Sequence, residues 1–364
     1  MLNIWPFKQD TSARKKVFVG LSGGVDSAVS AALLVQAGYE VTGVFIRISV
    51  EGYPCTAAED RRDALRVATH LRIPFLELDL SKEYNEQVFK NTINEYKKGN
   101  TPNPDTLCNR EIKFGKFYEF ARSRGADFIA TGHYARPVKK GFVSLFQGID
   151  PDKDQSYFLW MVPEKILEHV LFPIGNKKKS EVRALATKFG LPNAERKDSQ
   201  GLCFLGPVSI DEMLTQELKP RSGEVLDENG QIIGEHQGSV LYTLGQRHGF
   251  DLTAQSPKTP AHYVIAKDVE RNTITVSPNK FPVGVTKTVI TLREQNWVGP
   301  LYTGLCRAQY RYHQTFIPAL VLHQGGSSVV ELQEPHYAPL GQSLVLYDKE
   351  RCLGGGIIGV IEYR

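Results

Sequence analysis

An apolar run, a glycine-rich string and a helical pattern follow one another near the start of this chain, between Lys15 and Gln36. The same alternation of strand-like and helical patterns continues through EVTGVFIRI, AAEDRRDALRVATHL, IPFLELDL and DFIATGHY. Alternating elements of this kind are typical of βαβ units. The sequence therefore predicts an α/β fold, a doubly wound parallel sheet with helices on both faces.

The glycine-rich string occupies the turn between the first strand and the first helix, where a doubly wound sheet binds its ligand. Its residues are Gly20, Leu21, Ser22, Gly23, Gly24, Val25, Asp26 and Ser27. The adjacent glycines let backbone N–H groups approach an anion, the serines add hydroxyl donors, and the helix N-terminus adds partial positive charge. The string is neither a Walker A loop nor a GxGxxG fingerprint. We expect a pyrophosphate-containing ligand here; the alternative is a turn that binds nothing.

Asp26 places a negative charge inside this predicted phosphate site. A carboxylate repels phosphate oxygens unless a cation lies between them. We therefore expect Mg²⁺ to accompany the nucleotide, and no separate metal site built from protein ligands.

The length of 364 residues exceeds that of a single hydrophobic core. Helical patterns in PEKILEHVL and KSEVRALATKFG complete the predicted α/β domain, and after Cys203 the chain is predicted to be mainly β. The stretch 277–284 contains proline and glycine and precedes short alternating runs that predict a compact barrel. We predict a tail at 1–14, an α/β domain at 15–208, a central β-rich domain at 209–279 and a β-barrel at 280–364.

Charge and cysteine content exclude few functions. The 44 basic and 40 acidic residues give a net charge of +4, which permits a nucleic acid partner without indicating one. Five cysteines without CxxC spacing argue against a secreted disulfide framework and a zinc ribbon. No apolar run approaches the roughly 18 residues of a membrane span. We expect a cytoplasmic protein, with a transit peptide at the N-terminus as the alternative.

Two of the cysteines, Cys108 and Cys203, lie in strings rich in glycine, proline and asparagine, which predict exposed loops. Cys306 and Cys352 lie in β-like runs that predict burial. Sulfur transfer needs one thiol that carries a terminal sulfur and a second that releases it by forming a disulfide. The alternative for each loop cysteine is an inert small apolar side chain. Asp105 stands three residues before Cys108, which favours a chemical role for this cysteine; the alternative for Asp105 is part of an ordinary turn.

The string SGGVDS resembles the loop of the ATP pyrophosphatases, which cleave ATP to AMP and pyrophosphate while adenylating a carbonyl oxygen. Three further strings, TPNPDTLCNREIKF, ATGHYAR and KDSQGLCFLG, resemble those of the tRNA-specific 2-thiouridylases. Shorter matches (DKDQSYFL, GEHQG, YTLGQRHG, RYHQ and CLGGGII) extend the resemblance over nearly the whole chain. It implies ATP-dependent adenylation of the C2 carbonyl of wobble uridine 34, then persulfide sulfur transfer that gives 2-thiouridine, AMP and pyrophosphate.

The resemblance also implies roles for single residues. Cys203 would carry the persulfide, Cys108 would free the sulfur by forming a disulfide with Cys203, and Asp105 would act as acid/base. ATP would contact the glycine-rich string, Gly132, and Ile46, where the family usually has methionine. The residues expected at the tRNA are Asn103, Pro104, Asp105, His133, Lys153, Asp154, Gln155, Arg311, Tyr312 and Gln342. The alternative for His133 is a structural hydrogen-bonding role. The alternative for the residues at 153–155, 311, 312 and 342 is that they are solvated surface residues without a tRNA contact.

The implied partners are a tRNA anticodon loop with uridine 34, from lysine, glutamate or glutamine acceptors, and a persulfide-donating sulfur-carrier protein. We expect a monomer whose anticodon stem-loop lies in a cleft between the α/β domain and the barrel. The residues leave two alternative functions open. One is an amide-forming synthetase with the same ATP loop, and the other is a tRNA-binding protein without catalytic activity.

Overall fold

The computed structural model describes residues 14–54, 57–198, 206, 208–253 and 260–364, and these form three sheets with helices around the first. Within those ranges, no helix combines the length and the apolar character that a membrane crossing requires. The strands, in chain order, are β1 Lys16–Gly20, β2 Glu40–Arg47, β3 Phe75–Asp79, β4 Phe128–Ala130, β5 Ala135–Lys140, β6 Phe142–Gln147, β7 Val170–Leu171, β8 Gly223–Leu226, β9 Ile232–His236, β10 Phe250–Leu252, β11 Tyr263–Asp268, β12 Thr273–Ser277, β13 Thr288–Trp297, β14 Gly304–Gln309, β15 Ile317–Gln324, β16 Ser327–Leu332, β17 Ser343–Asp348 and β18 Arg351–Tyr363.

The helices follow the sequence pattern closely at the start of the chain. They are α1 Val25–Gln36, α2 Ala57–Leu71, α3 Ser81–Tyr84, α4 Lys90–Lys97, α5 Pro104–Cys108, α6 Phe117–Ser123, α7 Glu164–Leu167, α8 Lys179–Lys188 and α9 Ile210–Leu218. π-helical segments join α3 to α4 (Asn85–Phe89) and α5 to α6 (Asn109–Lys116), and short 3₁₀ turns lie at Ser156–Leu159 and Ser239–Leu241.

The first sheet is parallel throughout, in the order β3-β2-β1-β4-β7. Its two faces bury separate cores: Val17 and Val19 of β1 pack with α1, α2 and α8, whereas Phe18 packs with the helices between α3 and α6. The predicted doubly wound sheet is therefore confirmed. The strand order reverses between β1 and β4, so a crevice opens at their carboxyl ends.

One local prediction was wrong. The helix predicted over PEKILEHVL covers only α7, because Val170 is buried and pairs with β4 as the edge strand β7. The described chain after Cys203 is mainly β, as predicted, and one helix, α9, precedes its strands. Ser209 and Glu212 form a capping box at its start, a signal present in the sequence.

The barrel closes through antiparallel pairing of β13 with β18. The hairpin of β5 and β6, which the sequence did not reveal as such, extends the barrel sheet from β18 through pairs such as Cys352 with Leu145. Leu145, Tyr347 and Cys352 share the hydrophobic core that also surrounds the helices between α3 and α6. The domain boundaries at 14/15, 208/209 and 279/280 remain a prediction, and the barrel sheet includes two strands, β5 and β6, from the predicted α/β domain.

Candidate active site

A cavity of about 560 Å³ opens at the carboxyl ends of β1, β2 and β4, a volume suited to a small-molecule ligand. Residues of the glycine-rich string wall one side of it, and the segment that follows β4 walls another. The sequence-predicted residues that line it are Gly20, Leu21, Ser22, Gly24, Val25, Asp26, Ser27, Ile46, Gly132, His133, Lys153, Gln155 and Tyr312. The structure therefore gathers the predicted nucleotide contacts, and part of the predicted tRNA contacts, around one space.

Gly23 shapes the loop and does not line the cavity. Its φ is +79°, and a Cβ there would lie 2.6 Å from the carbonyl oxygen of Asp60. Its own carbonyl accepts a hydrogen bond from Asn193 Nδ2 at 2.7 Å. Gly132 is required for a similar reason, because a Cβ would lie 2.7 Å from the backbone nitrogen of Ser27. Both glycines allow close backbone packing around the first turn of α1.

Asp26 is held inside the protein by a cation of the same chain. Lys179 Nζ donates to both Asp26 carboxylate oxygens, at 2.8 and 2.9 Å. The hydroxyl of Tyr134 donates to Asp26 Oδ1 at 2.9 Å, and burial raises the pKa of that phenol, with Asp26 adding to the shift. The sequence predicted that a cation compensates the charge of Asp26, and Lys179 supplies such a positive charge without Mg²⁺.

His133 lies between two phenylalanine rings. Its Nδ1 lies 2.7 Å from Thr131 Oγ1, and its ring centroid lies 5.6 Å from that of Phe114 and 5.7 Å from that of Phe172. Burial lowers the pKa of His133 well below its usual value, and the ammonium of Lys113 adds to the effect. The side chain can exchange hydrogen bonds with a ligand in the cavity without bringing a positive charge.

Cys108 is fully buried, so the predicted exposed loop at this position was wrong. Asn103, Pro104 and Asp105 begin a helix instead of a turn, with the Asn103 side chain accepting from the backbone nitrogens of Asp105 (3.1 Å) and Thr106 (3.2 Å). Cys108 is the last residue of this helix, α5. Asp105, in its first turn, is half-buried.

The π-helical segment after Cys108 faces the cavity. Lys113, within that segment, lines the cavity wall. Cys203, the second predicted cysteine, lies outside the described residues. The described residues on either side of it, Asp198 and Gly206, both line the cavity.

The remaining described cysteines are poor nucleophiles. Cys352 is buried in β18, as predicted, and Cys306 in β14 is half-buried. Burial raises the pKa of each thiol to about 12. At neutral pH both are protonated, and only the thiolate attacks effectively.

The barrel contributes a second group of predicted residues beside the cavity, around the buried Tyr157. Its hydroxyl lies 3.4 Å from Gln342 Oε1, and both Asn103 and Arg311 oppose the rise in its pKa that burial causes. Arg311 also donates to the carbonyl of Leu244 in the central region, at 2.5 Å. Tyr312, which lines the cavity, has its ring 6.3 Å from that of Tyr157. Asn103, Arg311 and Gln342 thus converge although they lie far apart in the chain.

Residues 153–155 differ in environment: Asp154 is buried and hydrogen-bonded inside the protein, whereas Lys153 is partly exposed at the cavity. The buried carboxylate of Asp154 accepts hydrogen bonds from Gln147 Nε2 and from the backbone nitrogens of Gly148 and Ser156, at 2.8 to 3.1 Å. Lys153 lines the cavity and pairs with Asp198 at 3.2 Å. The predicted tRNA contact of Asp154 stays a prediction, and its carboxylate is already engaged inside the protein.

Sequence reasoning missed several residues of the cavity wall, chiefly Lys113, Tyr134 and Asp198. All three lie within or next to the strings that carry the family resemblance, so position in those strings was an available signal. Among the described residues, no group of three or more histidine, cysteine, aspartate or glutamate side chains could hold a metal ion.

Three family models match successive parts of the chain. They are described as tRNA methyl transferase HUP domain (residues 15–207), tRNA methyl transferase PRC-barrel domain (211–278) and aminomethyltransferase beta-barrel domain (287–358).

Relatives of this chain align with it over nearly its full length and theirs. A tRNA-specific 2-thiouridylase MnmA of Lysinibacillus sphaericus is 41% identical and covers 94% of this chain and 94% of its own. The tRNA-specific 2-thiouridylase MnmA 1 of Geobacillus kaustophilus is 42% identical over 95% of each chain. A solved 4-thiouridine synthetase–RNA complex with bound ATP is 20% identical, with a TM-score of 0.35 over 56% of this chain and 50% of that one, a likeness too weak to bear on function.

Proposed function

Because the chain belongs to the tRNA-specific 2-thiouridylase family, we propose that it uses ATP to replace the C2 oxygen of uridine 34 in tRNA with sulfur. The observation that supports this most is the single cavity described above. It joins a phosphate-binding loop, the π-helical segment that follows Cys108, and both ends of the segment that contains Cys203.

The nucleotide fits the loop side of the cavity. Backbone N–H groups at the start of α1, beside Gly24, suit the phosphates, and Ile46 at the end of β2 offers an apolar surface for the adenine. Mg²⁺ normally takes one or two carboxylates together with phosphate oxygens. Asp26 and Asp198 are carboxylates that line this cavity, so the donor set suits Mg²⁺ once phosphates are present.

The proposed first step is adenylation. The C2 carbonyl oxygen of uridine 34 attacks the α-phosphorus of ATP, and pyrophosphate leaves with the electrons of the broken P–O bond. Asp105 serves as the acid/base for the uridine, a kind of assistance worth roughly 10²–10⁴ in rate. The C2 carbon then carries AMP as a leaving group.

The proposed second step transfers sulfur. The terminal sulfur of a Cys203 persulfide attacks C2, and AMP departs with the original carbonyl oxygen. The thiolate of Cys108 then attacks the Cys203 sulfur, which leaves the terminal sulfur on C2 and forms a Cys108–Cys203 disulfide. A dithiol reductant and a new persulfide from a sulfur-carrier protein restore the enzyme.

On the RNA side, we propose that the anticodon loop of lysine, glutamate or glutamine tRNA enters between the β4 side of the cavity and the barrel. Proteins read RNA sequence mainly in such unpaired loops, where bases can be splayed out. Asn103, His133, Arg311 and Gln342 would surround the loop, with Lys153, Gln155 and Tyr312 at the cavity wall. We propose that the protein acts as a monomer in the cytoplasm.

Nucleoside mass spectrometry tests the function. Protein, ATP, Mg²⁺, a persulfide donor and unmodified tRNA should give 2-thiouridine at position 34 together with pyrophosphate. Cys203→Ser should abolish 2-thiouridine while ATP binding persists, and Cys306→Ser, a cysteine outside the cavity, should behave like the parent protein. Pyrophosphate release that does not require tRNA would favour an amide-forming synthetase instead. Tight tRNA binding without pyrophosphate release would favour a non-catalytic binding protein.

A further inference from the structure

One lysine ammonium is shared by two carboxylates of the cavity wall. Lys179 Nζ lies 2.8 Å from Asp26 Oδ1 and 2.8 Å from Asp198 Oδ1. Asp26 and Asp198 both line the cavity, whereas the Lys179 side chain is only 15% exposed. Asp198 also pairs with Lys153 at 3.2 Å and with Arg183 at 2.6 Å. The charge that faces bound phosphates therefore depends on how Lys179 divides between its two partners.

We propose that Lys179 and Asp198 are positioning residues that set the charge of the phosphate site and hence its dependence on a divalent cation. This inference rests on the proposed use of ATP. When Lys179 pairs with Asp26, the loop is close to neutral and accepts phosphates. Asp198 competes with Asp26 for the Lys179 ammonium and therefore weakens the Lys179–Asp26 ion pair. Asp26 becomes a free cation ligand only to the extent that Lys179 is released from it.

The shape of the loop does not depend on these ion pairs alone. Asn193 Nδ2 holds the carbonyl of Gly23, and Arg183 Nη1 donates to the carbonyls of Ala194 (3.1 Å) and Arg196 (2.5 Å). The stretch 193–198 therefore stays attached to α8 and to the loop when the Asp198 carboxylate is neutralised. Conservative amide substitutions at 179 and 198 should change charge more than geometry.

The proposal predicts effects of opposite sign for the two residues. Lys179→Gln exposes the Asp26 charge, so ATP without metal should bind at least about tenfold more weakly, and added Mg²⁺ should recover most of the loss. Asp198→Asn leaves Lys179 to Asp26 alone, so metal-free ATP should bind more tightly than in the parent, and Mg²⁺ should improve binding less. The double variant should fall between the two.

A second pair of variants separates charge compensation from direct phosphate contact. If Lys179 acts through Asp26, Asp26→Asn should improve metal-free binding much more in the Lys179→Gln background than in the parent protein. An equal gain in the two backgrounds would mean that Lys179 acts on the phosphates directly, and the proposal would be wrong. Lys188→Gln is the matched control, because Lys188 is an exposed lysine on the same helix, α8, and carries the same charge.

The experiment is isothermal titration calorimetry of the full chain with ATP, once with EDTA and once with excess Mg²⁺, accompanied by thermal melting of each variant. We expect the dissociation constant of ATP in EDTA, divided by that in Mg²⁺, to rise in Lys179→Gln and to fall in Asp198→Asn. Equal ratios in all variants, or shifts in the same direction, would overturn the inference. If the parent protein binds no ATP in either condition, the proposed function fails instead.

Discussion

The cavity has two contrasting sides. The nucleotide side includes one continuous stretch of chain, residues 20–27 without Gly23. The barrel side adjoins segments that are far apart in the chain, near residues 103, 157, 311 and 342. The side that we propose binds the nucleotide offers backbone N–H groups at a helix start and two carboxylates that share Lys179. The barrel side depends on long side chains arranged around the buried Tyr157. The backbone of the first is built by neighbours in the chain, but its Lys179 ion pairs, like the whole of the second, form only after distant segments have packed.

This difference indicates how each side should respond to change. A backbone site tolerates little alteration, because its geometry is fixed by a few dihedral angles and close contacts. A site of converging side chains should lose affinity in steps as single contacts are removed. Substitutions on the two sides should therefore affect ATP and tRNA binding separately.

The largest effect is expected for Gly23→Ala. The substitution forces a side chain into a left-handed backbone and towards the Asp60 carbonyl oxygen, which would lie 2.6 Å away. Strain of roughly 1–3 kcal/mol or more should displace the loop and weaken ATP binding at least about tenfold. Calorimetric titration with ATP measures it.

Gly125→Ala is the matched control, because Gly125 has a similar φ of +78° but lies outside the cavity, and a Cβ there would meet nothing within 4 Å. It should cost far less affinity. If Gly23→Ala reduced tRNA affinity as strongly as ATP affinity, the two sides of the cavity would not be independent.

The next prediction concerns Cys108, which is buried although we propose that it acts in sulfur transfer. Its alkylation by iodoacetamide should be slow in the isolated protein and should speed up by about tenfold or more when ATP and tRNA bind together, since reactivity requires an accessible thiolate. Peptide mass spectrometry after timed labelling follows each cysteine. The buried Cys352 serves as the internal control and should stay unlabelled. A Cys108 thiol that remained protected under turnover conditions would argue against its proposed attack on Cys203.

Arg311→Ala tests the barrel side. Loss of one cation near the RNA should weaken tRNA binding several-fold and reduce the dependence of log K on log salt by about one unit or less, while ATP binding stays unchanged. Arg271→Ala removes the same charge from a turn where the side chain is 84% exposed and should have little effect. A fall in ATP affinity in Arg311→Ala would show that the barrel shapes the nucleotide side as well.

The smallest effect is expected at His133, which lies between the two sides. The folded protein holds its pKa well below the usual value, whereas an unfolded histidine titrates near 6.5. Below about pH 6.5 the unfolded chain therefore binds a proton that the folded chain does not, and stability falls by up to about 1.4 kcal/mol per pH unit. His133→Asn should reduce the stability difference between pH 7.5 and 5.5 by roughly 1 kcal/mol, as measured by urea unfolding. An unchanged difference would mean that His133 is charged in the folded protein.

The secondary structure of the proposed nucleotide side could be predicted from sequence because its signals are local. A strand, a glycine-rich turn and a helix start lie within residues 16–36. The contacts that fix the turn, such as those of Gly23 with Asp60 and Asn193, come from distant parts of the chain. The family-derived positions Ile46 and Gly132 lie at and just beyond the carboxyl ends of β2 and β4, the two strands that flank β1, and the parallel topology brings these ends to the same edge.

The remainder depended on tertiary contacts. Nothing near Lys179 in the sequence indicates that it pairs with Asp26, which lies 153 residues earlier. The burial of Cys108 follows from the helix capped by Asn103 packing into the core, although NPD also suits an exposed turn. Val170 and Leu171 read as helix because two residues carry too little pattern to identify an edge strand.

The fate of the C2 oxygen of uridine 34 tests the adenylation account most directly. A tRNA labelled with ¹⁸O at that position should be incubated with protein, ATP, Mg²⁺ and a persulfide donor, and the AMP analysed by mass spectrometry. We expect one ¹⁸O atom in the phosphate of AMP for each 2-thiouridine formed. Unlabelled AMP, with the heavy oxygen released to water, would contradict the proposed attack of the carbonyl oxygen on ATP.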